Sequence, residues 1–143
     1  LLESNRSLYE FTRKLIGFRH QHKCLRINSF DHHGSSHFPS CSFHGTVPWK
    51  VDWSSESKQL AWLMSCDDAE TGLMDTVYVA SNMAHYATWF ELPLLPNEYK
   101  WQLCFNTGDS VNPFQGYPVD FEGNGILTGE RSLVILTVSP RET

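Results

Sequence analysis

The sequence predicts a mainly β fold, an antiparallel β-sandwich preceded by one amphipathic helix. Apolar residues recur at helical spacing near the start of the chain. Short runs rich in β-branched and aromatic residues follow, with turn signals about every 8–12 residues. Apolar residues make up 41% of the 143 residues, which is typical of a folded chain rather than a disordered one.

Residues 5–22 are predicted to form the helix. Its apolar residues recur at intervals of three and four positions, so they share one face. These residues are Leu8, Phe11, Leu15 and Phe18. Ser7, followed three positions later by Glu10, has the pattern of a capping box. Because a stripe of this size needs a partner, we expect it to be an interface with the sandwich, a second copy of the chain, or another domain.

The segments after the helix that combine β-branched or aromatic residues with apolar patterning are predicted to be strands. They cover residues 25–30, 60–64, 76–81, 87–92, 100–105, 117–121 and 132–138. The last is apolar on both faces and is therefore predicted to be central. The segment 87–92 returns after 76–81 across a short connection, which predicts a hairpin. Alternation places Trp101, Leu103 and Phe105 on one face of their strand.

Composition argues against several classes of partner. The formal net charge is −5 and the chain has no basic run, which disfavours nucleic acid. No apolar run approaches the ~18 residues of a membrane span. The four cysteines form no Cys-x-x-Cys pair and are predicted to be reduced thiols in an intracellular protein. The absence of an initial Met predicts that the chain is cut from a longer protein, and no feature indicates a cofactor.

No metal site and no catalytic residue are predicted. The densest histidine group is His32, His33 and His37, with Cys41 nearby, but it lacks the paired spacing of zinc ligands. An acidic group crowds one turn, where carboxylates face solvent rather than each other across a cleft as glycoside hydrolysis requires. It consists of Asp67, Asp68, Glu70 and Asp75. Motifs of serine nucleophiles, zinc proteases and dinucleotide sites are absent.

The tryptophans are the remaining candidates for a binding site, because sugars stack on exposed aromatic faces. Trp49 and Trp53 fall in a predicted loop, where they form either a sugar platform or a buried plug at one end of the β domain; the usual burial of Trp favours the plug. Trp89 is predicted to face outward, since alternation turns Phe90 inward. Trp62 and Trp101 are predicted core residues.

Motifs taken in chain order resemble the carboxy-terminal region of isoamylase-type glycogen and starch debranching enzymes, of the α-amylase clan. The first combines an aromatic-His-Gly element, an Asp-Trp-Ser element and a Ser-Lys-x-Leu-Ala-aromatic element. The matching segments are 43–45, 52–54, 57–62, 77–82, 90–93, 101–107 and 131–136. The chain departs from the pattern at Phe43, where Trp is more frequent, and at Asn106, where Asp is more frequent.

The resemblance implies a domain organisation and a role. Residues 1–24 would be the last helix of an absent catalytic (β/α)₈ barrel, and residues 25–143 the carboxy-terminal β-sandwich. The chain would support a barrel that cleaves α-1,6-glucan links in the cytosol or a plastid, and would contact glucan through Trp89, Trp53 or Trp49. The barrel's catalytic carboxylates lie outside this chain.

Two alternatives remain at the level of sequence. The chain could be a free-standing carbohydrate-binding module, which would bind glucan without a barrel. It could instead be a protein-interaction domain of a non-catalytic isoamylase subunit, which would capture another subunit and no glucan. Self-association through the helix stripe is expected if no other partner covers it.

Overall fold

A six-stranded antiparallel sheet forms the centre of the molecule, with a helix on one face and a two-stranded sheet on the other. The computed structural model describes residues 3, 5–28, 33–109, 119–121 and 123–142. The elements are α1 (Arg6–Gln21), a 3₁₀ helix (Lys23–Leu25), β1 (Cys41–His44), β2 (Gln59–Asp67), β3 (Met74–Asn82), β4 (Thr88–Glu91), β5 (Tyr99–Asn106), β6 (Val119–Asp120), β7 (Gly125–Thr128) and β8 (Ser132–Pro140). The predicted mainly β, antiparallel fold with one N-terminal helix is confirmed.

Helix α1 lies within one residue of its predicted bounds at each end. The predicted capping box is wrong, because Asn5 rather than Ser7 precedes the first turn and no side chain caps that end. Within the described ranges, no helix combines the length and apolar character needed to cross a membrane. The predicted strand at 25–30 is also absent over its described part, while residues 29–30 lie outside the described residues.

The six strands run in the order β1-β2-β3-β8-β5-β6. Strand β8 lies in the interior of this order, between β3 and β5, which confirms the prediction made from its two apolar faces. Its side chains alternate between the two cores of the molecule: Leu136 packs in the core under the two-stranded sheet, and Ile135 in the core under the helix. Burial on both sides explains why the sequence of β8 has no polar face.

Strand β4 does not form the predicted hairpin with β3. It pairs with β7 in the two-stranded sheet, and β3 takes β8 as its second neighbour. Phe90 of β4 and its partner Ile126 of β7 point toward Tyr78 and complete the main core. If β4 paired with β3, it would be part of the large sheet and could not cover the face of that sheet. The burial of Phe90 over the sheet, rather than closeness in sequence, therefore determines its position.

The predicted alternation of β5 is wrong after Leu103, because a β-bulge interrupts the strand there. Trp101 and Leu103 pack in the main core as expected, but the pairing with β8 shifts between Leu103 and Phe105. Because one extra residue in a strand reverses the face of those that follow, Phe105 lies in the core under the helix. Phe105 then meets the helix instead of the two-stranded sheet.

The predicted helix stripe packs largely on the chain's own sheet. Phe18 is buried and meets the ring of Phe105 edge-on at 5.4 Å between centroids, and Phe11 does the same at 5.9 Å. Leu15 is partly buried in the same core. Leu8 differs, since 59% of its surface remains exposed.

Asp75 joins the end of the helical segment to β3. Its Oδ1 lies 2.7 Å from Nδ1 of His22, and its Oδ2 accepts the amide of Cys24 at 3.2 Å. Burial raises the pKa of this carboxyl, but the hydrogen bonds from His22 and Cys24 outweigh it and hold the pKa below its ordinary value. The expectation that Asp75 sits in a solvated turn is therefore wrong, because β3 begins at Met74 and includes it.

Candidate functional site

The three tryptophans proposed as sugar contacts are all more than half exposed: Trp49 at 55%, Trp53 at 66% and Trp89 at 54%. The outward orientation of Trp89 is confirmed, and its neighbour Phe90 is fully buried. The expected plug formed by Trp49 and Trp53 is wrong, because neither side chain is buried. Trp49 and Trp53 lie in the loop between β1 and β2, whereas Trp89 lies on β4.

Trp89 lies on the outer face of the two-stranded sheet. Its indole covers Gly125 of β7 so closely that a side chain at that glycine would overlap the ring. Its cross-strand partner Leu127 is also exposed, at 58%. The pair forms a small apolar surface, with the ring of Trp89 packed over Gly125.

Trp53 belongs to a turn between β1 and β2. The carboxylate of Asp52 accepts the amide of Ser54 at 3.0 Å, and this hydrogen bond lowers the pKa of Asp52. The indole of Trp53 meets the ring of Phe43 at 5.5 Å. The Asp-Trp-Ser element is thus a side-chain-stabilised turn that places its Trp beside a cavity of about 480 Å³.

Trp49 occupies a strained backbone position. The amide of Lys50 donates to the carbonyl of Val47 at 3.3 Å, which closes a four-residue turn with Pro48 in second place. Trp49, in third place, has a φ of +68°, in the left-handed region that favours glycine. Holding a large side chain there costs about 1–3 kcal/mol, so the surrounding structure must enforce it.

His44 enforces the conformation of Trp49. The amide of Trp49 donates to Nδ1 of His44 at 2.9 Å, and the two rings meet at 4.5 Å. His44 is fully buried, and burial lowers the pKa of its imidazole. The sequence marked this residue as part of the aromatic-His-Gly element and as a neighbour of the possible sugar platform, but did not predict its hydrogen bond to Trp49. The signal was its position at the end of β1, inside the aromatic-His-Gly motif rather than in the histidine-rich loop.

The contact between Ser42 and His44 resembles a nucleophile with its base but cannot act as one. Ser42 Oγ lies 2.9 Å from Nε2 of His44. Because the amide of Trp49 can only donate, Nδ1 of the neutral ring must accept and Nε2 must carry the proton. Nε2 therefore donates to Ser42 and cannot remove the proton of its hydroxyl. The pair is structural: the amide of Trp49 fixes the tautomer, and Ser42 accepts the proton of Nε2.

A cavity of about 480 Å³ opens beside Trp49. Its apolar wall includes Phe38 and Leu92, which belong to the main core. Its polar residues are the exposed Glu91, Asn124 and His37. Nε2 of His37 lies 2.9 Å from the carbonyl of Leu94, which holds that side chain at the rim. An exposed ring, an apolar wall and a few polar groups are the usual components of a small-ligand site.

Metal binding finds no support in the described ranges. No group of three or more His, Cys, Asp and Glu side chains there has the arrangement to hold an ion. His32, part of the densest group in the sequence, lies outside the described residues. All four cysteines are free, and burial raises the pKa of the thiols of Cys24, Cys66 and Cys104.

Other residues of the sequence motifs hold turns and strands together. The amide nitrogen of Asn82, which is buried, lies 2.8–3.2 Å from the carbonyls of Tyr86, Thr128 and Gly129. Its oxygen accepts the amide of Ala84 at 3.1 Å. Asn82 thus ties the end of β3 to the end of β7. Asn82 and His44 both hold separate segments of the fold together.

The four residues proposed as a domain interface divide between two surfaces. Phe11, Leu15 and Phe18 face the sheet, whereas Leu8 belongs to an exposed side of α1. We define the outer flank of α1 as Leu8, Tyr9 and Ile16, whose exposed fractions are 59%, 53% and 55%. The helical period explains why these three residues are neighbours: it places them together along one edge of the stripe that faces the sheet.

Comparison with known proteins connects the chain to one family. Residues 42–125, more than half of the chain, match the family described as Isoamylase 1-3, C-terminal. The chain is 29% identical over 108 residues to "Isoamylase 1, chloroplastic" of Arabidopsis thaliana, and 29% identical over 127 residues to "Isoamylase SU1, chloroplastic" of Zea mays. These alignments cover 73% and 87% of the chain but only 12% and 14% of the two relatives.

Proposed function

This chain belongs to the family described as Isoamylase 1-3, C-terminal, and we propose that it is an accessory domain that supports the catalytic barrel of an α-1,6-glucan debranching protein. In this proposal the chain binds the barrel and contributes no catalytic group. A location in the cytosol or a plastid is part of the proposal, supported by the chloroplastic names of both relatives.

The outer flank of α1 is the observation that carries this proposal. The helix already buries one apolar stripe on the sheet, so Leu8, Tyr9 and Ile16 are additional to what the domain itself requires. Removing a large apolar side chain from water contributes roughly 1.5–3 kcal/mol, which favours a partner on this flank. The relatives extend far beyond the aligned region, and a barrel in that remaining length is the occupant to which the proposal commits.

The test compares the isolated chain with the full-length parent. Leu8→Asp and Ile16→Asp change exposed residues, so each should leave the melting temperature of the isolated chain nearly unchanged. In the parent they should lower the melting temperature by several degrees and reduce debranching, because the charge would be buried at the barrel. Gln21→Asp, an exposed position outside the flank, is the matched control.

Two outcomes of that experiment would overturn the proposal. If both variants leave the parent as stable and active as the unmodified protein, the flank is not a barrel interface. If light scattering shows that the isolated chain is a dimer and that Ile16→Asp makes it monomeric without affecting the parent, the flank binds a second copy. Tight capture of a separate subunit, lost in the same variants, would favour the protein-interaction domain of a non-catalytic isoamylase subunit.

Contact with α-glucan is the second candidate function, and the exposed tryptophans favour it. None of the three large rings is covered by the described part of the chain, although each is held in place by specific neighbours. Affinity electrophoresis in gels containing amylopectin or glycogen tests this function. A free-standing binding module should be retarded strongly by the polysaccharide, and a pure support domain should migrate as it does in a plain gel.

A further inference from the structure

We propose that the cavity beside Trp49 binds a segment of α-glucan, with the Trp49 ring as the platform for one sugar and Glu91 and Asn124 as hydroxyl partners. This inference rests on the second candidate function, contact with glucan, and specifies its site. The cavity is distinct from the outer flank of α1 and from the cavity beside Trp53.

The first reason is the way in which Trp49 is presented. More than half of its surface is open, yet its backbone adopts a conformation that favours glycine, and a fully buried histidine holds it there. The Trp49 ring gains a contact with His44, but glycine would satisfy the same turn without strain, and more than half of the Trp49 surface stays open. Strained residues cluster at ligand-binding sites, where the fixed geometry lowers the entropy lost on binding.

The second reason is the chemistry of the cavity. Its volume of about 480 Å³ lies within the range of small-ligand sites, and it combines an apolar wall with separate polar groups. A pyranose offers matching surfaces, with C–H groups on its faces and hydroxyls around its edge. Glu91 forms no ion pair with any described residue, so its carboxylate is open to accept hydroxyl hydrogen bonds.

The negative charge at the cavity and on the whole chain favours a neutral sugar over an anionic ligand. The carboxylate of Glu91 lies on the cavity wall, and the whole chain carries a formal charge of −5. Both features disfavour a phosphate or an acidic peptide. An uncharged polyhydroxylated ligand meets no such repulsion.

The third reason is that a second exposed ring continues the surface. Trp89 lies two positions before Glu91 on β4, so the two side chains share the outer face of the strand about 7 Å apart. A linear oligosaccharide that stacks on Trp49 can therefore extend past Glu91 toward Trp89. A single monosaccharide would use only the first platform, which predicts weaker binding of glucose than of maltoheptaose.

The experiment measures binding of maltoheptaose and of amylopectin to the 143-residue chain by titration calorimetry and affinity electrophoresis. Trp49→Ala should weaken the binding of maltoheptaose and of amylopectin by about tenfold or more, which is the loss expected when a stacking ring is removed. Trp49→Phe should retain part of the affinity. Tyr86→Ala, which removes an equally exposed aromatic ring outside this cavity, is the matched control and should bind normally.

Trp49→Gly keeps the test valid if Trp49→Ala unfolds. Glycine accepts the positive φ without strain, so this variant should remain folded by circular dichroism while it loses the platform. Loss of binding in a folded Trp49→Gly chain, together with normal binding of Tyr86→Ala, supports the site.

The remaining outcomes show whether the Trp49 site alone or the whole glucan-contact function is wrong. If the unmodified chain binds maltoheptaose and Trp49→Gly binds equally well, the Trp49 site is wrong although glucan contact stands. If the unmodified chain binds neither maltoheptaose nor amylopectin at millimolar concentration of glucose units, both the site and the glucan-contact function are overturned. If glucose binds as tightly as maltoheptaose, the extension toward Trp89 is wrong.

Discussion

At the residue scale, His44 links the main core to the most strained turn of the molecule. Its ring accepts the amide of Trp49 and donates to Ser42, and it lies against Tyr78 at 6.3 Å between ring centroids. The imidazole must be neutral for the first of these hydrogen bonds to exist. None of the three neighbours supplies a negative charge that would stabilise a protonated ring. Proton binding by His44 therefore opposes folding.

We predict that the stability of the chain falls as the pH drops below the ordinary His pKa of 6.5. The pKa of His44 is lowered in the folded state, so between the folded and unfolded values the unfolded chain binds more protons. The stabilisation is complete above the unfolded pKa and is lost as the pH falls through the folded pKa. Urea unfolding at a series of pH values between about 7.5 and 5 measures the loss.

His44→Asn isolates the responsible group. The asparagine oxygen can accept a hydrogen bond near the position of Nδ1, but the side chain does not titrate. The variant should therefore be less stable than the unmodified chain at about pH 7.5, and its stability should depend less on pH. His85→Asn, at an exposed histidine, should keep the full pH dependence of the unmodified chain. An unchanged slope in His44→Asn would assign the effect to other histidines.

At the scale of elements, helix α1 has two different sides. The sheet-facing side packs Phe11 and Phe18 around Phe105, which the bulge in β5 turns toward the helix. The hydrogen bonds of Asp75 to His22 and Cys24 then fix the end of the helical segment. The other side carries the outer flank, which the described chain leaves exposed.

We predict that the two sides respond differently to truncation. Phe18→Ala should destabilise the isolated chain by about 3–5 kcal/mol, because it leaves a cavity between the helix and the sheet. Ile16→Ala should change stability by less than about 0.5 kcal/mol in the isolated chain, since Ile16 is exposed there. Thermal and urea denaturation of the two variants measures the contrast. Equal losses would show that the helix is oriented differently on the sheet.

At the scale of the whole molecule, the chain contains the scaffold of an isoamylase carboxy-terminal domain. Several described carboxylates are committed to structure: Asp75 to the helical segment, Asp52 to the amide of Ser54, Asp68 to Lys23, and Asp120 to Lys100. The Ser42–His44 contact has the wrong tautomer for nucleophilic catalysis. In the proposed role as a partner of a catalytic domain, none of these residues has to supply a catalytic group.

We predict that the isolated chain does not release reducing ends from pullulan, amylopectin or glycogen. The reason is that its sequence lacks the motifs of the barrel carboxylates, and the cavities beside Trp49 and Trp53 are each lined by a single carboxylate, Glu91 and Asp52. A reducing-sugar assay, with an active debranching enzyme as the positive control, provides the measurement. Turnover that is abolished by one substitution in this chain, such as Glu91→Gln, would contradict the prediction.

The sequence by itself determined the features that depend on local periodicity. The apolar spacing of Phe11, Leu15 and Phe18 specified a helix and its buried side, and the two apolar faces of β8 specified a central strand. Order and spacing of the motifs were enough to identify the family that the comparison confirmed. These inferences succeed because a side chain's direction within one helix or strand follows from its position in the repeat.

Only the tertiary structure decided what depends on contacts between distant segments. It paired β4 with β7, turned Phe105 toward the helix through a bulge, and moved Asp75 from a predicted turn into a hydrogen-bonded joint. It also left Trp49 exposed over a buried His44, where composition favoured a buried plug. Each of these outcomes is set by the free energy of packing one segment against another, which the pattern within a single segment does not contain.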